Sequence, residues 1–366
     1  MQKRKIAVLG GGNMGSLLSV KFSQDSDVTL YLNSNKKARY HKDMRAYNSD
    51  KRTYTTGKIR KITTNLAEAI DDAEWIFITL PSFVFESFAS KLLALLKSGQ
   101  HLVFVPGSGG AELYFKDALK KGCTINGLQR VHSVARITEA GKEVCESGVR
   151  NMLKVASVPQ AFNEQACKVI GELYGIEVAP LSSYLNVTLI NSNPILHTSR
   201  LFTIFKDYVG GDENGYDKLP LFYEHWTDET SCLLEKMDNE LFDIIGVLNK
   251  NGMKVDDIVP LLKHYESKSV TEMTAKIKSI NSLKGLATPS KLRFDGKLVP
   301  DLNSRYFTAD FPFGLDILIA FADLAGTPCP HLISVSDWYH SLTETKREFD
   351  LSKFGFNDVN DLKNFY

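Results

Sequence analysis

A length of 366 residues exceeds one ordinary hydrophobic core, so we expect two domains. The hydrophobic share of 43% and charged share of 24% are typical of a soluble globular protein, and no stretch approaches the roughly 20 apolar residues that cross a bilayer. A formal net charge of +1, with no basic stripe interleaved with aromatics, argues against a nucleic-acid partner. The five scattered cysteines form no CxxC pair, which excludes a disulfide framework and favours a reducing, cytoplasmic location.

Short apolar runs alternate with helical patterns in the first half of the chain. We predict buried strands at 5–9, 27–33, 73–81, 101–107, 151–159 and 176–181. Strands that alternate with helices indicate an α/β fold, with a Rossmann-type doubly wound sheet over residues 1–183. Over residues 184–366 the long patterned segments are mostly helical, which predicts an all-helical C-terminal domain.

A glycine motif, GGGNMG, follows the first predicted strand and opens the first predicted helix. In such a GxGxxG loop the first glycine allows the tight turn, the second lets the backbone approach a pyrophosphate, and the third permits close helix packing. The diphosphate then binds the free N–H groups at the helix N-terminus. The candidate cofactor-binding residues of this loop are Gly10, Gly12, Asn13, Met14 and Gly15.

The end of the second predicted strand reads NSNKK, from Asn33 to Lys37, and holds no carboxylate. A site for NAD usually offers an Asp or Glu there to the ribose hydroxyls, whereas neutral groups and lysines suit a 2′-phosphate. We therefore favour NADP over NAD as the cofactor, with Asn33, Ser34 and Lys36 as its contacts. The alternative is that the two lysines belong to an ordinary solvated turn.

Two later turns, at 79–82 and 105–109, follow the carboxyl ends of predicted strands. Ligands of open α/β sheets bind at that edge. Each turn either lines the cofactor crevice or is an ordinary turn in which proline and glycine end the strand.

The stretch NSNPILHTSRLF places His197 in an apolar, hydroxylated run. On a helix, Asn193 and His197 share one face, which Leu189 and Leu185 continue. Pro194 suits either the first turn of a new helix capped by Asn193 or a kink in a longer helix. Taken by itself, the stretch leaves two interpretations, a hydrogen-bonded core histidine or a catalyst.

Further along the chain, SRYFTADFPFGL contains Arg305 and Asp310 ahead of an apolar helix. Either they are a surface cation and a helix cap, or they are paired, because unpaired ions among phenylalanines are costly. A carboxylate bound to one imidazole nitrogen fixes the tautomer, and an arginine grips a carboxylate by two parallel hydrogen bonds. Histidine, aspartate and arginine beside a nicotinamide are the groups needed to reduce the carbon next to a carboxylate.

These motifs resemble the opine dehydrogenase family, the octopine/nopaline dehydrogenase group, over nearly the whole chain. The matching pieces are VLGGGNMG, NSNPILH, FYEHWTDETSCLLEKMDNE and SRYFTADFPFGL. The resemblance implies a helical substrate domain that faces the dinucleotide across a cleft. It also implies NAD(P)H-dependent reductive condensation of an amino acid's amine with an α-keto acid, which gives a secondary-amine dicarboxylate by hydride transfer to an imine.

The resemblance also implies roles for residues of this chain. His197 matches the family's acid/base, Asp310 its carboxylate partner, and Arg305 the arginine that orients a substrate carboxylate. Asn193 matches the polar residue one turn before the histidine. Thr198 departs from the family, which often has proline there, and this departure bears on the shape of the substrate pocket.

The remaining predictions concern substrates, metals and partners. Tyr223, Glu224 and Trp226 either contact the amino substrate or belong to the core and rim. The other histidines lack the spacing of metal ligands, so we expect no metal. The expected partners are small-molecule substrates, without nucleic acid or membrane, and a homodimer is allowed for because the sequence does not define the oligomeric state.

Two other functions compete with this interpretation. A ketopantoate reductase-like or glycerol-phosphate dehydrogenase-like oxidoreductase shares the two-domain plan, but those families rely on a lysine that the predicted face of His197 lacks. A non-catalytic NADP(H)-binding sensor would keep the glycine loop, but it would have no need to hold His197, Arg305 and Asp310 together.

Overall fold

The computed structural model describes residues 3–33, 39–210 and 214–366. The chain divides into two compact units, Met1–Thr188 with Tyr366, and Leu189–Phe365. The assignment of dinucleotide binding and of substrate chemistry to the two sides of residue 183 stays a prediction.

The first unit alternates strands with helices. Its strands are β1 (Arg4–Leu9), β2 (Ser26–Tyr31), β3 (Arg45–Asn48), β4 (Thr53–Thr56), β5 (Lys61–Thr63), β6 (Trp75–Ile78), β7 (His101–Phe104), β8 (Thr124–Leu128), β9 (Val134–Glu139), β10 (Glu143–Ser147), β11 (Met152–Val158) and β12 (Glu177–Pro180). Its helices are α1 (Asn13–Phe22), α2 (Leu66–Ile70), α3 (Phe85–Leu95), α4 (Ala111–Tyr114), α5 (Asn163–Tyr174) and α6 (Leu185–Thr188).

An eight-stranded sheet forms the centre of this unit, in the order β12-β11-β8-β7-β6-β1-β2-β5. From β5 to β8 this is the order of doubly wound dinucleotide-binding domains, so the predicted fold class is confirmed. One pair departs from the predicted parallel sheet, because β8 and β11 run antiparallel with Val155 opposite Leu128. The chain reaches β11 through strands β9 and β10 rather than a crossover helix, and only parallel neighbours require such a crossover.

The central strands are buried along their whole length. Every residue of Trp75–Ile78 in β6, and of the last four positions of β1, is at most 1% exposed. A strand that is covered on both faces is apolar at each position instead of alternating. This is why these runs are recognisable in the sequence.

A second, four-stranded sheet, in the order β4-β3-β10-β9, has no counterpart among the sequence predictions. Strand β3 pairs antiparallel with β4 and parallel with β10, and β9 and β10 form an antiparallel pair. Its strands are short, and Tyr54 and Val134 are 58% and 50% exposed. These strands pack against helix α1, which is distant in sequence from most of them, so local sequence alone does not indicate the sheet.

The second unit is mainly helical. Its helices are α7 (Ser192–Phe205), α8 (Asp228–Lys250), α9 (Leu261–His264), α10 (Val270–Ser279), α11 (Arg305–Thr308), α12 (Asp316–Ala325), α13 (Pro330–Thr343) and α14 (Val359–Phe365). One small hairpin, β13 (Ser290–Leu292) and β14 (Leu298–Pro300), interrupts the predicted all-helical pattern.

Helix α8 is the centre of the second unit. Its buried residues include Leu234, Met237, Leu241 and Leu248, at three- and four-residue spacing or its multiples, and it packs against α7, α10, α12 and α13. In the part of the chain that the structure describes, no helix combines the length and apolar character needed to span a membrane.

Residues 189–191 are not helical and separate α6 from α7. Helix α7 carries His197 and starts at Ser192, with Asn191 in the N-cap position. Asn193 and Pro194 lie in the first turn of α7, where proline is tolerated because the N–H groups there have no partner within the helix. Of the two alternatives for Pro194, the start of a new helix is the one observed, with Asn191 rather than Asn193 in the N-cap position. The predicted continuous face leading up to the histidine is also interrupted.

Candidate active site

The glycine loop joins β1 to α1 at the point where the strand order of the large sheet reverses. Gly10 has a φ of +114°, a conformation that L side chains rarely adopt. A Cβ at Gly15 would lie 1.8 Å from the carbonyl oxygen of Gly10, so loop and helix pack too closely for any side chain there. A Cβ at Gly12 would meet nothing of the described chain within 4 Å, which leaves open space beside the loop.

This loop fits the pyrophosphate of a dinucleotide. Helix α1 starts directly after Gly12 and carries no acidic residue in its first turn. The first N–H groups of a helix have no carbonyl partner within it, and the helix dipole adds a positive partial charge there. The space beside Gly12 and these N–H groups form an anion cradle that a Cβ would fill.

Two hydrogen bonds attach neighbouring residues to the glycine loop. The side-chain oxygen of Asn13 accepts a hydrogen bond of 2.9 Å from the backbone N–H of Ile137, in β9. The Tyr40 hydroxyl donates to the carbonyl oxygen of Gly11. Met14 is partly buried against the hydrophobic core of the unit. Of the predicted cofactor contacts, Asn13 therefore has its side-chain acceptor engaged within the protein.

The turn at 79–82 lies beside the glycine loop. The Thr79 hydroxyl donates to the carbonyl oxygen of Leu9 at 3.1 Å, and a Cβ at Gly10 would come within 2.8 Å of that hydroxyl. The turn at 105–109 follows β7, whose carboxyl end lies on the same sheet edge because β1, β6 and β7 run parallel. Both turns thus lie on the edge where the cofactor crevice is expected.

The region predicted to contact the adenosine ribose is described only at its start. Asn33 follows β2 and is exposed. Ser34 and Lys36, the other two predicted contacts, lie outside the described residues. The preference for NADP over NAD therefore still rests on the sequence.

In the second unit, His197 is 5% exposed and has a partner on each ring nitrogen. Its Nδ1 is 2.7 Å from Oδ2 of Asp310, and its Nε2 is 2.9 Å from the hydroxyl oxygen of Tyr223. Because a carboxylate can only accept, Nδ1 carries the proton that it donates to Asp310. In the neutral ring, Nε2 then accepts the hydroxyl proton of Tyr223.

Asp310 precedes a kinked helical turn, Phe311–Leu315, in which Phe313 has a non-helical φ of −113° and ψ of 18°, and this turn leads into α12. Asp310 occupies the N-cap position, but its carboxylate binds His197 instead of capping the turn. Of the two interpretations open for Asp310, the histidine partner is the one that the geometry supports.

Arg305 begins α11, is exposed and forms no ion pair with another described residue. Its guanidinium carbon is 5.9 Å from the ring centre of Tyr306, and that ring centre is 4.7 Å from the ring centre of His197. An unpaired guanidinium near the histidine is available to a carboxylate. Asn193 is also exposed, one helical turn before the histidine.

The three aromatic and acidic residues of the FYEHW stretch have different surroundings. Tyr223 is buried, and burial raises the pKa of its hydroxyl, with neighbouring acidic groups acting in the same direction. Glu224 accepts a hydrogen bond of 2.9 Å from the backbone N–H of Gly285. Trp226 is 2% exposed, and its Nε1 donates to the Ser231 hydroxyl. Of these three, Tyr223 is the one that reaches the histidine.

Two family models match successive parts of the chain. Residues 180–343 match a family model described as NAD/NADP octopine/nopaline dehydrogenase, alpha-helical domain, and residues 5–146 match one described as NAD-dependent glycerol-3-phosphate dehydrogenase N-terminus. Over residues 180–343, which include His197, Arg305 and Asp310, the chain is thus similar to the octopine/nopaline dehydrogenase family. It is therefore an NAD(P)-dependent oxidoreductase of the opine dehydrogenase type, acting on CH–NH donors.

Individual members of the opine dehydrogenase family resemble this chain over nearly its whole length. The tauropine dehydrogenase of Arabella iricolor is 26% identical, over 92% of this chain and 91% of its own. A solved structure of octopine dehydrogenase with NADH and L-arginine has a TM-score of 0.86 at 20% identity, covering 98% of both chains. One with NADH and pyruvate has a TM-score of 0.83 at 21% identity, covering 99% of this chain and 98% of that one.

Thr198 is the position at which the sequence departs from the pattern that the resemblance implies. This side chain is fully buried, and its hydroxyl donates to the carbonyl oxygen of Pro194 in the same helix. The substitution is therefore satisfied within α7 and presents no free polar group.

Arg200, one helical turn after His197, is absent from the sequence predictions for this opine dehydrogenase-type site. It is 2% exposed, and its guanidinium donates to the carbonyl oxygens of Phe222 at 2.8 Å and His225 at 2.7 Å, on either side of Tyr223. The available signal is an arginine inside the apolar run NSNPILHTSRLF, since a cation in such a run needs internal acceptors.

Proposed function

We propose that this chain condenses the amine of an amino acid with an α-keto acid and reduces the resulting imine, giving a secondary-amine dicarboxylate. The observation that carries the proposal is the hydrogen-bonded row of Asp310, His197 and Tyr223, next to Arg305, an exposed cation that forms no ion pair with another described residue. A proton-exchanging group beside a carboxylate-binding cation is what condensation with a keto acid requires.

We assign the acid/base role to His197. Asp310 holds the proton on Nδ1 and stabilises the imidazolium that forms when Nε2 takes up a proton. The ring can then deliver that proton to the oxygen that leaves as water during condensation. When bound, the nicotinamide supplies the hydride for the reduction.

Arg305 is proposed to hold a substrate carboxylate through two parallel N–H bonds. These hydrogen bonds would orient the reacting carbon, which lies next to the carboxylate, relative to His197. Such orientation lowers the activation barrier of the reaction because the reacting groups are already held together. Asn193, exposed on the turn before the histidine, is a proposed second polar contact for the substrate.

The proposal is tested by following the oxidation of NADPH and NADH with keto acids and amino acids offered singly and in pairs. We expect oxidation only when both substrates are present, with a secondary amine as the product in mass spectrometry. Oxidation by a keto acid alone would instead support a simple keto-acid reductase. Bound coenzyme without turnover in any pair would contradict the proposal, and His197→Asn supplies the inactive control.

We also propose NADPH as the preferred coenzyme, because NSNKK, from Asn33 to Lys37, offers no carboxylate to the ribose hydroxyls. A lost charge-assisted hydrogen bond to a phosphate is worth about 1.5–3 kcal/mol. Lys36→Ala should therefore lower kcat/KM for NADPH by about tenfold or more and leave that for NADH unchanged. Lys51→Ala, an exposed lysine in another turn, is the matched control. A wild-type preference for NADH would contradict this assignment.

A cytoplasmic location and a homodimer are further proposals. All five cysteines are free in the structure, which is compatible with a reducing compartment. Fractionation of a tagged chain measures the location. Light scattering measures whether the mass is that of one 40.9 kDa chain or of two.

A further inference from the structure

Residues 221–226, here called the Tyr223 segment, accept several hydrogen bonds from one buried guanidinium. The Nε–H of Arg200 donates to the carbonyl oxygen of Phe222 at 2.8 Å. One terminal nitrogen of the same side chain donates to the carbonyl oxygens of His225 at 2.7 Å and Leu221 at 3.4 Å. The segment therefore receives hydrogen bonds on both sides of its tyrosine.

The charge of Arg200 is unusual for its position. Among the described residues no carboxylate pairs with it, although it is 2% exposed. Burial lowers its pKa to about 10, so it remains a cation at neutral pH. A buried cation is tolerated only where its N–H groups are satisfied, and the backbone carbonyls of the Tyr223 segment satisfy them. The cation and the segment consequently hold each other in place.

The Tyr223 segment aims one hydroxyl at the histidine. The ring of Tyr223 lies parallel to that of Trp226, with 6.1 Å between centres and an angle of 6° between planes. This stacking leaves the hydroxyl free to lie 2.9 Å from Nε2 of His197. Because burial raises the pKa of Tyr223, the hydroxyl keeps its proton at neutral pH.

We propose that Tyr223 is the link through which His197 exchanges its proton with the substrate, and that Arg200 is the residue that positions Tyr223 for this exchange. The inference rests on the proposed condensation and deepens it. Its basis is that Nε2, the nitrogen not bound to Asp310, already faces the Tyr223 hydroxyl, while the histidine is 5% exposed.

The step balances in protons and electrons. Tyr223 gives its hydroxyl proton to the departing hydroxyl oxygen of the carbinolamine, which forms when the amine adds to the keto acid, and takes the Nε2 proton of imidazolium His197. The C–O bond breaks with its electron pair, which leaves in water, and the nitrogen lone pair forms the new C=N bond. Tyr223 ends neutral, the imidazole ends neutral, and the positive charge has moved to the protonated imine.

The first test removes only the hydroxyl, in Tyr223→Phe. We expect kcat to fall on the order of 10²-fold, with KM for both substrates changed less than about threefold. Tyr216→Phe, which removes a half-buried hydroxyl elsewhere in the second unit, is the matched control and should leave kcat unchanged. A rise in KM at unchanged kcat would make Tyr223 a substrate contact only and would overturn the link.

The second test follows the number of protons in flight. A plot of kcat/KM for the keto acid against the deuterium fraction of the solvent should be curved for the wild type, because two protons move together. It should become a straight line in Tyr223→Phe. A straight line for the wild type would overturn the relay.

The positioning role of Arg200 is tested with Arg200→Lys, which keeps the charge but loses the fork of N–H donors. We expect kcat to fall about tenfold in the wild-type background and to change less than about twofold in the Tyr223→Phe background. The reason is that both substitutions disrupt the same hydrogen bond, the one between Tyr223 and His197. Additive losses in the double variant would overturn this role.

A readout without turnover separates this inference from the proposed condensation. In substrate-free protein labelled with ¹⁵N-histidine, the His197 Nε2 signal should move in Tyr223→Phe and stay in place in Tyr216→Phe. An unchanged signal would overturn the inference even if the enzyme condenses its substrates. A shifted signal in a protein that turns over no substrate pair would confirm the hydrogen bond between Tyr223 and His197 and would contradict the proposed condensation.

Discussion

Contacts between histidine and carboxylate occur at several positions of the chain, and their surroundings distinguish them. His132 is 3.2 Å from Glu146, and His340 is 2.8 Å from Asp316, but both carboxylates also accept serine hydroxyls within packed cores. His197 differs because its second nitrogen meets a tyrosine hydroxyl near the Arg305 guanidinium, which forms no ion pair within the described residues. Within the described residues no group of His, Cys, Asp and Glu is arranged to hold a metal ion. At the residue scale, a histidine–carboxylate pair therefore says less about function than the groups that surround it.

Asp310→Asn tests the contribution of the carboxylate. An amide oxygen still accepts the Nδ1 proton, but it does not stabilise an imidazolium, so kcat should fall on the order of 10²-fold or more at unchanged fold. Steady-state kinetics and circular dichroism measure the two quantities. Asp323→Asn, an exposed aspartate of α12, is the control and should behave like the wild type. Full activity of Asp310→Asn would rule out the acid/base assignment.

Arg305→Lys tests carboxylate binding. Lysine keeps the charge but cannot make two parallel hydrogen bonds, which are worth about 1.5–3 kcal/mol when charge-assisted. KM for the keto acid should therefore rise by about 10- to 100-fold, with a smaller effect on thermal stability because Arg305 is exposed and has no ion-pair partner among the described residues. An unchanged KM for both substrates would show that the carboxylate is held elsewhere.

At the scale of elements, two glycines of the glycine loop serve different purposes: Gly12 is needed for dinucleotide binding and Gly15 for folding. Gly12→Ala should keep the melting temperature of the wild type, because its Cβ meets nothing of the described chain within 4 Å, yet weaken dinucleotide binding by filling the cradle. Gly15→Ala should lower the melting temperature, because its Cβ would lie 1.8 Å from the Gly10 carbonyl oxygen. Thermal denaturation and coenzyme fluorescence titration measure both effects. Equal coenzyme affinity in Gly12→Ala would contradict the assigned cradle.

At the scale of the whole molecule, one buried carboxyl makes stability depend on pH. Glu112 is 0% exposed, accepts hydrogen bonds from the hydroxyls of Thr188 and Tyr366, and leaves Oε2 without a partner among the described residues. Burial raises its pKa to about 7, from an ordinary value of 4.5 for a glutamate side chain. Between these values the folded chain holds a proton that the unfolded chain has released. The free energy of unfolding therefore falls as pH rises through this window.

Glu112→Gln should remove this dependence. The loss in the wild type is on the order of 3 kcal/mol and complete above about pH 7, so the variant should exceed the wild type in stability at pH 8 and match it near pH 4. Urea unfolding at several pH values measures this difference. Glu177→Gln, an exposed glutamate, is the control and should follow the wild type. A variant less stable than the wild type at pH 8 would contradict the sign.

Local sequence is sufficient where the reason for a residue lies in its own neighbourhood. The strands β1 and β6 are apolar at each position because both faces are covered, and the glycine motif follows from the turn that it makes. The motifs around His197, Arg305 and Asp310 indicate the chemistry because few other side chains combine a proton-exchanging group with a carboxylate grip. Family, fold class and type of reaction were all accessible at this level.

Tertiary structure decided the features whose partners are distant in sequence. His197 meets Asp310 across 113 positions and Tyr223 across 26, and no periodicity specifies which ring nitrogen each one binds. Arg200 has an assignable role only once the carbonyl groups of the Tyr223 segment surround it. The four-stranded sheet and the antiparallel β11 likewise depend on contacts with α1 and β8. Side-chain types determine what chemistry is available, whereas the fold determines which atoms meet.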